Sequence, residues 1–180
     1  MRIYCVFSGS GNNQLAYIEL RNGTISHVHT TLLANLEGPT GPTGPAAADS
    51  AAWTTYTPTW TGSTTNPSLG NGTLTGRYKT IGKTVFLQIH FGAGSSTTFG
   101  SGHWKFSLPV AAHSGAAVVM SATYLDNGTQ WYAGVVTTEY DSNTSYVVPI
   151  TVSSGAVNST VPFTWASTDS ITICGSYESA

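Results

Sequence analysis

Charge is the first thing this chain lacks. Of its 180 residues, 8% are Asp, Glu, Lys or Arg, where soluble globular proteins carry roughly 25%. The six basic residues are scattered, and the formal net charge is −2. No basic stripe is available to track phosphates, so a nucleic-acid partner is excluded. Glu, Lys, Arg and Gln are also the better helix formers, and their scarcity argues against helices. Long apolar runs are missing too. No stretch approaches the roughly 18 consecutive apolar residues of a membrane-spanning helix, so membrane insertion is not expected. The apolar part of the opening MRIYCVFSGSGNN is too short for the core of a signal peptide. The expectation is a protein made in a cytoplasm and not exported by the usual route.

Cysteine is scarce as well. Cys5 and Cys174 stand near opposite ends of the chain, too few for a disulfide framework. Both fall in strand-like runs and read as buried free thiols. The usual catalytic signatures are absent. There is no G-x-S-x-G nucleophile elbow, no P-loop and no dinucleotide fingerprint. Acidic residues number eight, and Asp126, Asp141 and Asp169 lie in turn-like sequence rather than as a facing pair. An enzyme is not expected, and no cofactor is implied.

What the chain does contain is Thr, Ser, Gly, Asn and aromatics, the composition of strands and tight turns. The reading is an all-β protein in three parts. Residues 1–37 form a small β meander, with strands over Arg2–Phe7, Gln14–Leu20 and Thr24–Thr30. Asn22-Gly23 supplies the positive φ values of a type I′ hairpin turn. Three short strands bury little and need a partner surface or further copies of themselves.

Residues 38–52 form a linker and connector. Gly38-Pro39-Thr40, Gly41-Pro42-Thr43 and Gly44-Pro45-Ala46 are three G-X-Y triplets in phase. Only glycine fits at the axis of a collagen triple helix, so Gly38, Gly41 and Gly44 point to a homotrimer. Three triplets span only about 28 Å at roughly 3.1 Å per residue, which requires flanking domains that are already trimeric. The alternative is a semi-rigid polyproline II spacer in a monomer.

Residues 53–180 read as one β domain, a sandwich or jelly roll with strands every 8–15 residues or so. Expected strands are Tyr56–Thr61, Leu74–Ile81, Thr84–Phe91, His103–Leu108, Ala117–Leu125, Thr129–Thr137, Ser145–Ile150 and Ser170–Tyr177. In Thr84–Phe91 the core face is Val85, Leu87 and Ile89.

Residues 53–180 resemble a β domain of bacteriophage virion proteins: head decoration, head fibre, minor tail and tail fibre proteins. The resemblance rests on Thr57-Pro58-Thr59-Trp60, on Gly70-Asn71-Gly72-Thr73-Leu74-Thr75-Gly76, and on the G-P-T linker before them. It implies a virion component assembled in the host cytoplasm, trimeric and without catalytic residues.

Two binding chemistries remain. His27-Val28-His29 places two imidazoles on one side of a strand. Around a threefold axis, three such pairs would offer six nitrogens to an octahedral metal ion. The alternative is a polar strand face. Five tryptophans stand in the last part of the chain, and aromatic faces serve as platforms for sugar rings. Trp131-Tyr132 and the loop holding Tyr140 and Asn143 are candidates for a host-surface glycan. Trp60, Trp104 and Trp165 read as core or interface residues. The expected function is a short trimeric projection whose residues 1–37 hold a major capsid or tail protein. Capsid decoration is the first reading. The alternative is a minor tail or tail fibre protein whose head binds host glycan.

Overall fold

The structure is a computed structural model that describes residues 1–9, 12–33 and 52–180. The chain divides into two compact units, Met1–Pro45 and Ala46–Ala180. Apart from one turn of 3-10 helix at Glu139–Asp141, the regular structure among the described residues is strand.

In the first unit, β1 (Arg2–Gly9), β2 (Asn12–Arg21) and β3 (Thr24–Leu33) form an antiparallel meander in that order. The β2–β3 turn is set by Asn22 at φ 51° and Gly23 at φ 79°, the two left-handed residues that a type I′ turn needs. Ile3, Ile18 and Val28 fall in one cross-strand row. Ile3 is 40% exposed and Val28 61%, so this row does not bury itself. Beside it, Arg2 pairs with Glu19 at 2.9 Å. The triplet glycines Gly38, Gly41 and Gly44 lie outside the described residues.

The second unit contains β4 (Thr54–Tyr56), β5 (Trp60–Gly62), β6 (Thr73–Ile81), β7 (Thr84–Gly92), β8 (Trp104–Ser107), β9 (Val119–Asp126), β10 (Gln130–Thr137), β11 (Tyr146–Thr151), β12 (Gly155–Ala156) and β13 (Ser170–Glu178). They form one antiparallel sheet in the order β4-β6-β7-β13-β9-β10-β11-β8-β5, with the short β12 added to β11. The expected sandwich or jelly roll is therefore corrected to a single curled sheet, a half-barrel. Its outermost strands, β4 and β5, are consecutive in the chain, separated only by Thr57-Pro58-Thr59. So short a link brings the two ends of the sheet together. A side chain of β4 reaches the other end, the Tyr56 hydroxyl donating to the Ser107 carbonyl of β8 at 3.3 Å. Twist accumulating over nine strands lets one sheet cover its own apolar face, so no second sheet is required. The expected strand Tyr56–Thr61 is split for the same reason. Pro58 cannot donate to a ladder, and here the chain passes from one sheet edge to the other.

The inner face is built by strict alternation. Val85, Leu87, Ile89 and Phe91 are buried on β7, while Phe86 and His90 point outward. Trp60, Trp104 and Trp165 are core residues. Trp60 packs on Phe91 at 4.6 Å and on Trp104 at 4.9 Å, and Trp104 meets Trp165 at 5.0 Å between ring centroids. Close packing reaches the backbone at Gly76, where any β-carbon would run into the Tyr56 ring. Cys174 departs from expectation. It stands at an outward position of β13 and is exposed, because Ile171, Ile173 and Tyr177 take the inward side.

Candidate functional site

The β9–β10 hairpin carries the most exposed tryptophan. Its turn closes with the Thr129 N–H donating to the Asp126 carbonyl at 2.9 Å, and Gly128 takes φ 86°. Asp169 braces this turn from below. It is buried, and its carboxylate accepts the Asn127 N–H at 3.0 Å and the Ala166 N–H at 2.7 Å. Its carbonyl accepts the Ala93 N–H at 2.8 Å, so one residue joins three loops. Trp131 follows the turn and is 66% exposed. It borders a hollow of about 380 Å3 lined also by Asp126, Asn127 and Gln130. Strand alternation sends Tyr132 the other way, to pack on Phe163 at 5.2 Å between centroids. Trp131 and Tyr132 therefore do not share a surface.

Tyr140 and Asn143 lie on the β10–β11 connection. Tyr140 is 51% exposed, with its ring 4.9 Å from that of His103. Asn143 Oδ1 accepts the Ser145 N–H at 2.7 Å, which shapes the turn from within. The turn is pinned to β8 and β11 by Asp141. Asp141 Oδ2 receives Lys105 Nζ at 2.7 Å, His103 Nε2 at 2.9 Å and the Tyr146 hydroxyl at 3.0 Å. Burial alone would raise the Asp141 pKa. The donors from Lys105, His103 and Tyr146 outweigh it and hold the carboxyl down at about 2. The Lys105 pKa is raised, first by its bond to Asp141. Beside this turn runs a polar groove of about 380 Å3, lined by His113, Glu139, Ser142 and Asn143 among others.

These two regions are separate. From Trp131 to Thr137 the strand advances about 20 Å at roughly 3.3 Å per residue. The direction of the chain distinguishes the two ends. β4 begins opposite Tyr78 and runs toward Gly76, hence away from the β6–β7 turn. Ser179 donates its N–H to Lys83 at that turn, and His113 to Glu178, so the groove beside Asn143 lies at the end where the chain enters. At the far end, Thr73, Gly92, Ser170 and Leu125 fall in register, and Leu125 pairs with Trp131.

Of the expected metal pair, His27 is opposite Glu19 and His29 opposite Tyr17 in backbone register. Their side chains lie outside the described residues. Among the described residues, no three His, Cys, Asp or Glu side chains gather into a metal set. The Asp141 network and the Asp169 brace escaped sequence reasoning. His103 and Lys105 are 38 and 36 positions from Asp141, and nothing in local sequence joins them.

No family model matches the chain, and no solved structure matches it. The chain is 27% identical over 196 aligned residues to the Mu-like prophage FluMu defective tail fiber protein of Haemophilus influenzae. That alignment takes in 97% of this chain and 30% of the relative. The chain is thus a distant relative of a phage tail fibre protein and spans less than a third of that relative's length.

Proposed function

We propose that this chain is a non-enzymatic structural component of a phage tail fibre, and that its second unit is the head that meets the host cell surface. The observation that carries this reading is the match to a tail fibre protein along 97% of the chain. It favours the tail over capsid decoration. In this reading residues 1–37 attach to the particle, 38–46 form a three-chain neck, and the curled sheet is displayed beyond it. The end of that sheet opposite the incoming chain is the one that faces outward, and Trp131 stands there. An exposed indole beside Asp126, Asn127 and Gln130 offers an apolar face for a sugar ring with hydrogen-bonding groups around it.

Immunogold labelling of particles with antibody against residues 53–180 tests the placement. Gold on the tail fibres is the expected result. Gold distributed over the capsid would return the reading to decoration. For the head's role, Trp131→Ala is expected to reduce binding of the full chain to host cells by about tenfold or more, as loss of an aromatic anchor does.

A further inference from the structure

On the outside of β6, β7 and β13, five side chains that can donate hydrogen bonds surround one hollow. Cross-strand register places Thr75, His90 and Thr172 in one row, and Arg77 and Gln88 in the next. They face outward because Leu87 and Ile89, the alternate residues of β7, are buried. The hollow between them measures about 460 Å3. Ile89 also lines it while its side chain is buried in the core, so backbone forms the floor.

Arg77 is held from two sides. Its Nε donates to Gln88 Oε1 at 2.7 Å, and its guanidinium lies 5.1 Å from the Trp53 ring. Neither contact neutralises it. Among the described residues, no carboxylate lies within ion-pair distance of Arg77. No acidic residue stands in either row as it continues across β13 and β9. With its Oε1 taken, Gln88 still has its amide N–H groups to donate. His90 Nδ1 lies 3.3 Å from Thr172 Oγ1, which steadies the ring on the opposite wall. A guanidinium fixed in its plane and lacking a counter-ion presents parallel N–H bonds that match a carboxylate.

We propose that this hollow binds a carboxylated sugar, a uronic acid unit of an acidic polysaccharide. Its carboxylate sits on Arg77 and its hydroxyls meet Gln88, His90 and Thr172. Two features select that ligand. Charge complementarity calls for an anion, and one guanidinium balances a carboxylate but not the roughly two charges of a phosphomonoester. The rest of the wall is neutral and polar, and β6 to β13 spans about 10 Å at roughly 4.8 Å per strand, which leaves room for a sugar ring. The tip of the head differs in sign. The hollow beside Trp131 holds Asp126, whose carboxylate repels the same ligand. The inference deepens the reading of the head as the part that meets the host cell surface, and rests on it. The two fail separately, since gold labelling reports where the chain sits and the titration below reports what the hollow binds.

The full chain is titrated with glucuronic acid, glucose and glucose-6-phosphate, followed by saturation-transfer NMR. The three probes share a ring and differ in one group, a carboxylate, a hydroxyl or a phosphate. Glucuronic acid is expected to bind about tenfold more tightly than glucose, the effect of one charge-assisted pair. In Arg77→Gln that preference should vanish. Lys83→Gln removes an equal charge from the exposed β6–β7 turn and should keep it. Thr172→Glu, which adds a carboxylate to the opposite wall, is a second variant with the same expected loss should Arg77→Gln fail to fold. Equal binding of glucuronic acid and glucose, binding of neither, or a preference that survives in a folded Arg77→Gln would overturn the proposal. Tighter binding of glucose-6-phosphate than of glucuronic acid would overturn it too, by making the hollow a phosphate site.

Discussion

The meander of the first unit and the curled sheet of the second are both antiparallel and both begin from short alternating strands. In the first, Ile3 and Val28 share a row and remain 40% and 61% exposed. In the second, every inward residue of β7 is buried. The difference lies in what lies opposite the apolar face. Nine strands accumulate enough twist to curl until their inner face meets itself, whereas three do not. A sheet that curls this far supplies its own core. One that stays open depends on a surface from elsewhere, which suits a unit read as an attachment device.

The comparison can be broken most directly at the aromatic cluster. Trp104→Ala removes a fully buried indole that touches Trp60 and Trp165. A loss of about 3–5 kcal/mol is expected in the denaturant unfolding of the second unit. A loss under 1 kcal/mol would mean that the cluster does not hold the curl. Gly76→Ala is the next largest, since its β-carbon must displace the Tyr56 ring. The expected cost is about 1–3 kcal/mol, read from the same unfolding curve. Asp169→Ala orphans the Asn127 and Ala166 N–H groups. It should cost about 1–3 kcal/mol and speed hydrogen exchange in the β9–β10 turn.

These effects show how far the sequence could be read. The alternation of Val85, Leu87 and Ile89 gave their burial directly, and Asn22-Gly23 gave its turn. The curl was not legible, because it follows from β4 and β5 meeting at opposite ends of the strand order, a long-range property. Cys174 was misplaced because thiols are usually buried, while parity with Ile171 and Ile173 puts this one outside. The paired aromatics Trp131 and Tyr132 read as one site, yet strand alternation sends them to opposite faces. The Asp141 network required residues far apart in sequence, so no local pattern signalled it.

A smaller effect follows from that network. The Asp141 carboxyl is held at about 2 in the folded chain, below its ordinary value of 3.8. Its contribution to stability is therefore present above the ordinary value and is lost as pH falls through about 2. Asp141→Asn should be less stable than wild type at neutral pH, and the gap should close between about pH 4 and pH 2. A gap that is constant over that range would show that the charge of Asp141 is not what pins the turn. Smallest of all is Val28→Thr in the first unit. At 61% exposure it should change the stability of the isolated chain by no more than about 0.5 kcal/mol. A larger loss would mean that Val28 is covered rather than exposed.

The central claim is that three chains act together. The solution mass of the full chain, measured by light scattering after size exclusion, tests it most directly. The account predicts three times the chain mass of 18.8 kDa. A mass of 18.8 kDa at the same concentration would contradict it, leaving the Gly-Pro-Thr segment a spacer.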